Sequence, residues 1–298
     1  MGTLVMINGA VFAPEAAKIS VFDRGLLYGN SVFETLGTYR GRPFALREHL
    51  ERLRRSAELV FIEFPVSQRD FATEIRRAIR EAGNDESYVR VIVTRGSGDL
   101  GLDPALAVAP QRIVIVTPLH RPAQVAYDEG VKAITYRTQR STDETAAVGA
   151  KVGNYLVAVL AMKEAKATGA NEALIVDRSG RLVEGATSNL FLVRGGVVTT
   201  PPESAGILPG ITRRFVLEAA TEEGIPVEFA CPDVSQLWSA EEVFITSSIR
   251  QLLAITHVDG RAIGSAQPGP IYVRLLRRFA SMIESIVDSE SSESARSE

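Results

Sequence analysis

Lys151 is the one charged residue between Thr145 and Met162, in the run Ala-Val-Gly-Ala-Lys-Val-Gly-Asn-Tyr-Leu-Val-Ala. Burial disfavours the ammonium form, so an amine in such a run is a candidate nucleophile. The alternative is a lysine whose stem covers apolar surface while its head reaches water. Glu184 ends a predicted strand, in Leu-Val-Glu-Gly-Ala-Thr-Ser-Asn-Leu-Phe-Leu. A carboxylate there suits a cationic partner, of which a protonated pyridine nitrogen is one, or it is a surface residue before the turn at Gly185. Leu208-Pro209-Gly210-Ile211-Thr212-Arg213 opens a predicted helix, and the free N–H groups and dipole of a helix start favour phosphate. Arg52, with Ser247 and Ser248 after a β-run, could complete an anion cup. Arg47, Arg54 and Arg55 flank Arg52, so a solvated basic face stays open as its role. Tyr88 and Arg90 lie two apart in a strand and share a face. Phenol beside guanidinium suits a carboxylate, or is polar decoration of an edge strand.

One motif is set aside. Gly96-Ser97-Gly98-Asp99-Leu100-Gly101 matches GxGxxG after a β-like run. A dinucleotide fingerprint must open a helix whose amides hold the pyrophosphate, inside a βαβ rhythm. Leu102-Asp103-Pro104 follows instead, which predicts a loop.

These residues need elements to position them. Leu4–Ile7 and Ala10–Phe12 around Asn8-Gly9 predict a hairpin. Leu46, Leu50, Leu53, Ala57 and Phe61 recur at helical spacing. Ser67 with Asp70 resembles a capping box for a second helix with an apolar face of Phe71, Ile75, Ile79 and Ala82, closed at Gly83. Tyr88–Thr94 and Arg112–Thr117 are β-rich. Residues 1–117 thus form a predicted small α+β domain, and Pro118 to Gln124 a linker. Residues 125–288 alternate strands, hairpins and helices, the helices near 155–167 and 211–223. The Ser/Glu-rich residues 289–298 form a predicted disordered tail.

Composition excludes several classes. The chain has 298 residues, 45% hydrophobic and 23% charged, with 33 basic and 36 acidic residues and a net charge of −3. That balance gives no reason to expect a nucleic-acid or membrane partner. Cys231 is the single cysteine, so no intrachain disulfide or multi-cysteine zinc site can form. His49, His120 and His257 are too far apart for a local metal motif, and no metal is expected. No signal-peptide pattern opens the sequence, so the expectation is a soluble cytoplasmic protein. Only five of the basic residues are lysines (Lys18, Lys132, Lys151, Lys163 and Lys166), which leaves few candidates for amine chemistry.

Together and in order, Tyr28–Glu34 (YGNSVFE), Arg47–Leu53 (REHLERL), Lys151–Tyr155 (KVGNY), Glu184–Phe191 (EGATSNLF), Leu208–Arg213 (LPGITR) and Val243–Ser248 (VFITSS) resemble the fold-type IV pyridoxal-phosphate enzymes. The resemblance spans about Ile7 to Ile283 and is closest to the branched-chain amino acid aminotransferases of class IV. It implies a two-domain α+β fold of the D-amino acid aminotransferase type, with a small α/β N-terminal domain, a larger β-rich C-terminal domain and pyridoxal 5'-phosphate (PLP) in the cleft between them. It also implies a homodimer.

Residue by residue, the resemblance makes Lys151 the catalytic Schiff-base lysine, Glu184 the partner of the pyridinium nitrogen and Tyr155 the hydroxyl near the cofactor phenolate. Arg52, Ile211, Thr212, Ser247 and Ser248 become the phosphate binders, and Leu208 packs against the ring. Tyr28, Phe33, Thr35, Tyr88, Arg90 and Ile249 become the substrate pocket. The implied activity moves an amino group between a branched-chain-type L-amino acid or glutamate and a 2-keto acid. Thr35 replaces the glycine usual after the Phe-Glu pair of that subfamily, which narrows or polarises the pocket, and the loop Gly96–Pro104 departs from the usual form. Alternatives within the fold are 4-amino-4-deoxychorismate lyase and a D-amino acid or (R)-amine aminotransferase. The lyases generally lack the Tyr88/Arg90 pair, and the D-specific enzymes usually place Arg and His in the loop that here reads GSGDLGLDP. Outside enzymology, a non-catalytic PLP-binding homologue is the remaining alternative, and intact Lys151 and Glu184 argue against it.

Overall fold

A computed structural model describes residues 2–138 and 145–294. The chain forms two compact units. The first comprises Met1–His120, Glu144–Asn154 and Ser285–Glu298, and the second comprises Arg121–Asp143 and Tyr155–Glu284.

In the first unit the elements run β1 (Leu4–Ile7), β2 (Ala10–Phe12), α1 (Arg24–Tyr28), β3 (Ser31–Tyr39), β4 (Arg42–Pro43), α2 (Leu46–Leu59), α3 (Gln68–Ala82), β5 (Ser87–Thr94), β6 (Ser97–Gly98), β7 (Ala107–Val108) and β8 (Gln111–Pro118). A six-stranded sheet has the order β2-β1-β8-β5-β3-β4. Strand alternation decides its two faces. Val32 and Leu36 of β3 and Val89, Val91 and Val93 of β5 join Leu46, Leu50 and Leu53 of α2 and Phe71, Ile75 and Ile79 of α3 in one buried core. Phe33, Thr35, Tyr88 and Arg90 therefore point to the opposite face. α3 begins where expected: the Ser67 hydroxyl accepts from Asp70 N–H at 3.1 Å, and Gly83 closes the helix at φ 62°.

Residues 151–153 join this unit by strand pairing. Val152 bridges Val32, Phe33 N–H donates to the Lys151 carbonyl at 3.0 Å, and Gly153 N–H donates to the Ser31 carbonyl at 2.7 Å. The partners lie more than a hundred residues apart, so local sequence pattern does not reveal the pairing.

The glycines of the set-aside GxGxxG segment have a packing role. β6 pairs β7 in a short hairpin, and a Cβ on Gly98 would sit 1.8 Å from the Leu106 carbonyl oxygen. Close backbone approach, not phosphate, requires the glycine there.

The second unit runs α4 (Gln124–Asp128), β9 (Val131–Arg137), α5 (Leu156–Ala167), β10 (Glu172–Val176), β11 (Leu182–Gly185), β12 (Asn189–Arg194), β13 (Val197–Thr200), α6 (Ile211–Glu222), β14 (Val227–Phe229), β15 (Glu242–Ser247), β16 (Gln251–Val258), β17 (Arg261–Ala262) and, as far as Glu284, the helix α7 (Pro270–Ser294). Its sheet follows β11-β10-β9-β16-β15-β12-β13-β14, with β17 on β16. Val131, Leu174, Leu182, Leu190, Leu192, Ile245 and Leu253 share one core. Glu242 caps α7, accepting from the Ile271 and Tyr272 N–H groups at 2.9 and 2.7 Å. α7 runs to Ser294, so residues 289–294 of the expected tail are helical; residues 295–298 lie outside the described residues. No helix of the described residues is long and apolar enough to cross a membrane.

Candidate active site

Two sets of residues emerge, one in each unit. In the first unit the face of β3 and β5 away from the helices carries Phe33, which is buried, and Thr35, Tyr88 and Arg90, which are half-buried. Thr35 lies directly opposite Arg90 in the ladder, and Gly37 opposite Tyr88, which leaves room beside the phenol. The Arg90 guanidinium carbon lies 3.9 Å from the Phe33 ring centroid, and Lys151 Nζ lies 4.6 Å from the same centroid. Both cations are within attractive range of the ring's negative face. Two positive groups at one ring repel each other, and an anion between or beside them relieves that repulsion. Lys151 is half-buried rather than enclosed. Its backbone is held, because Lys151 N–H donates to Ser56 Oγ of α2 at 3.0 Å. Tyr28 ends α1 exposed, and its hydroxyl accepts from Gly101 N–H at 3.2 Å.

Arg52 lies on the helix-covered face of the same sheet. Its Nε and Nη2 donate to the two oxygens of Glu34 at 2.6 and 2.7 Å, and His49 Nδ1 lies 2.7 Å from Glu34 Oε2. Glu34 and His49 are buried. Burial alone raises the Glu34 carboxyl, but Arg52 and His49 overcome it and hold the group at about 2. Burial lowers His49, with Arg52 and Lys151 acting in the same direction against Glu34. A carboxylate only accepts, so His49 donates from Nδ1.

In the second unit three loops are tied together. Glu184, half-buried on β11, accepts from Leu208 N–H at 3.1 Å. Asn189 Nδ2 donates to the Leu208 carbonyl at 2.9 Å. Gly210 caps α6 without a side-chain bond to the helix amides, and a Cβ there would sit 1.8 Å from Asn189 Oδ1. The start of α6 thus presents backbone N–H groups, with Thr212 buried beside them. Ser247, the last residue of β15, and Ser248 and Ile249, in the turn that follows it, are half-buried. Tyr155 is the residue before α5.

Residues 31–258 match the amino-transferase class IV family. The chain belongs to that family. This class IV aminotransferase is 34% identical over 284 residues to the branched-chain-amino-acid aminotransferase of Salmonella typhimurium, which covers 92% of this chain and 91% of that protein. It is 30% identical over 267 residues to the D-alanine aminotransferase of Bacillus licheniformis, 90% and 92% of the two chains. A solved T.th. branched-chain amino acid aminotransferase with pyridoxamine 5'-phosphate superposes at TM-score 0.89 and 32% identity, covering 95% of this chain and 94% of that one. The fold is the two-domain α+β fold of fold-type IV, as the sequence motifs imply.

Within this aminotransferase the structure brings Phe33, Thr35, Tyr88, Arg90 and Lys151 to one face of one sheet. It brings Glu184, Leu208, Ile211 and Thr212 together around one helix start. Arg52 is not part of a solvated basic row. Its side chain is only 9% exposed, while Arg47, Arg54 and Arg55 are exposed. The buried partners Glu34 and His49 escape sequence reading. Their one local signal is spacing: His49 and Arg52 lie three apart, hence on one side of α2.

This triad makes an acid-stability prediction for the aminotransferase. The Glu34 carboxyl sits near 2 in the folded protein and near 4.5 as an ordinary carboxyl. Above pH 4.5 both states are ionised and the contribution is full. Between 4.5 and 2 the unfolded chain takes the proton first, so stability falls as pH falls. The total is about 3 kcal/mol, from roughly 1.4 kcal/mol per pH unit. Glu34→Gln should therefore be less stable than wild type at neutral pH, with the gap closing as the pH falls towards 2. Denaturation midpoints across that range measure it, and parallel profiles contradict it.

Proposed function

We propose that the protein transfers amino groups between a branched-chain-type L-amino acid, or glutamate, and a 2-keto acid, as a cytoplasmic homodimer. The observation that carries the substrate reading is the face of β3 and β5 away from the helices, where a buried apolar ring, Phe33, lies beside a half-buried guanidinium, Arg90. An aliphatic side chain packs on the former and a second carboxylate pairs with the latter. The loop from Gly96 to Pro104 contains no arginine or histidine, which weighs against D-amino acids. Support for the homodimer comes from the exposed apolar side chains Val21, Phe22, Leu26, Leu100 and Leu102, which favour a cover over contact with water.

The donor set fits PLP: a lysine amine, a half-buried carboxylate on β11, and helix amides at Gly210–Thr212 with no side-chain cap. When bound, PLP supplies an aldehyde that links to amines and a ring that withdraws electrons from the carbon next to the nitrogen. In the proposed reaction the Lys151 amine holds the cofactor at rest and, once released, moves the proton at the substrate Cα as base and then acid. The Glu184 carboxylate keeps a proton on the ring nitrogen. The phosphate binders in this reading are Ile211, Thr212, Ser247 and Ser248, through amides and hydroxyls, and Arg52, whose guanidinium Glu34 orients. Tyr155 hydrogen-bonds the ring oxygen and Leu208 packs on the ring. Tyr28, Tyr88, Thr35 and Ile249 shape the pocket, and Thr35 limits its breadth beside Arg90.

Arg90→Ala tests the substrate reading. A charge-assisted contact is worth about 1.5–3 kcal/mol, so kcat/KM for glutamate should fall about tenfold to a hundredfold more than for leucine. Equal losses for both would mean that Arg90 binds the shared α-carboxylate or only supports the sheet.

A further inference from the structure

We propose that Arg250 is a positioning residue that sets the Ser247–Ile249 turn for phosphate. The inference rests on the reading above that Ser247, Ser248 and the start of α6 hold the cofactor's phosphate. The turn is short and follows directly on β15, so its amides and hydroxyls need an outside anchor to fix where they point. Arg250 comes next in the chain and reaches back across the end of the sheet.

Its Nε donates to Ser247 Oγ at 3.2 Å, and its backbone N–H reaches the same oxygen at 3.4 Å. Its Nη2 donates to Glu172 Oε2 and to Thr187 Oγ1, both at 2.7 Å. Glu172 is completely buried at the start of β10. The same carboxylate oxygen accepts from Ser188 Oγ at 2.9 Å and from Thr187 Oγ1 at 3.2 Å, while Oε1 accepts from Ala173 N–H at 3.0 Å. One guanidinium therefore fastens the 247–249 turn to the loop between β11 and β12, and Glu172 anchors both to the sheet. That loop is flanked by Glu184 on β11 and Asn189 on β12, which both bond the backbone of Leu208, ahead of α6. The Tyr127 hydroxyl donates to the Arg250 carbonyl at 3.2 Å, fixing the backbone from the other side.

A planar fork with its charge matched by a buried carboxylate gives a fixed geometry that a single ammonium cannot copy. Glu172 balances the charge of Arg250, so the pair adds little net attraction for an anion. Its contribution is to hold the turn ready before the ligand arrives, which lowers the cost of ordering on binding.

The test compares the full-length protein loaded with PLP and loaded with pyridoxal, which lacks the phosphate. Each form is diluted, and the retained cofactor is read by absorbance. Arg250→Met should weaken PLP retention about tenfold to a hundredfold, the range for losing a charge-assisted contact, while pyridoxal retention is nearly unchanged. Arg250→Lys should fall between, and Glu172→Gln should shift the same preference in the same direction. Equal weakening of both forms, or no change in either, overturns the proposal. Thr212→Val and Ser248→Ala separate it from the reading beneath it. If they leave the preference for the phosphate form intact, the phosphate is not held there and both ideas fall. If they reduce it and Arg250→Met does not, only the role of Arg250 falls.

Discussion

Lys151→Ala should abolish transamination, with turnover falling by at least about four orders of magnitude, because the substitution removes both a nucleophile and an acid–base group. The fold should survive it. The bonds that seat this segment run through backbone atoms, from Phe33 N–H to the Lys151 carbonyl and from Lys151 N–H to Ser56 Oγ. The side chain instead lies outside the core cluster, over the Phe33 ring. The variant should therefore melt near the wild-type temperature while losing the yellow colour that PLP gives when joined to an amine. Added methylamine should restore part of the rate by replacing the missing base. Retained turnover in Lys151→Ala would transfer the role to another of the five lysines.

Glu184→Gln should reduce turnover by roughly a hundredfold to a thousandfold, the scale seen when a preorganised electrostatic contact is removed. Glutamine keeps an oxygen for the bond from Leu208 N–H, 3.1 Å in the wild type, so the loop that leads into α6 stays in place. What is lost is the negative charge. An amide cannot keep the ring nitrogen protonated, and carbanion stabilisation falls accordingly. Cofactor should remain bound, since the helix start and the serine turn are untouched. Single-turnover rates close to wild type would remove Glu184 from the mechanism.

The groups proposed to react stand out in the sequence, and the devices that hold them do not. Lys151 and Glu184 stand out because each is a charge inside an apolar run. Tyr88 and Arg90 are readable as neighbours because a strand alternates strictly, and the β3–β5 register agrees. The helix start at Gly210 reads from Pro-Gly before an amphipathic run, and the structure supplies the reason for the glycine in Asn189.

Glu34, Glu172, Asn189 and Arg250 are different. Glu172 meets Arg250 across 78 residues and Glu34 meets Arg52 across 18, and no local period connects such pairs. Arg52 shows the limit most clearly. As a sequence it belongs to a row of arginines, and only the buried carboxylate behind it separates it from its exposed neighbours. α7 escapes sequence reading for another reason. Tyr272, Leu275, Phe279, Ile283 and Val287 recur at helical spacing and are all buried, but the Ser/Glu-rich end suggests disorder and hides the period that precedes it.

The most direct test mixes the purified yellow enzyme with single amino donors and follows its absorbance within one turnover. L-leucine and L-glutamate should each convert the bound PLP to its aminated form and release the matching 2-keto acid, far faster than D-alanine or (R)-1-phenylethylamine. Preferential conversion by D-alanine or the amine, or faster release of pyruvate from 4-amino-4-deoxychorismate than any amino transfer, would contradict the account.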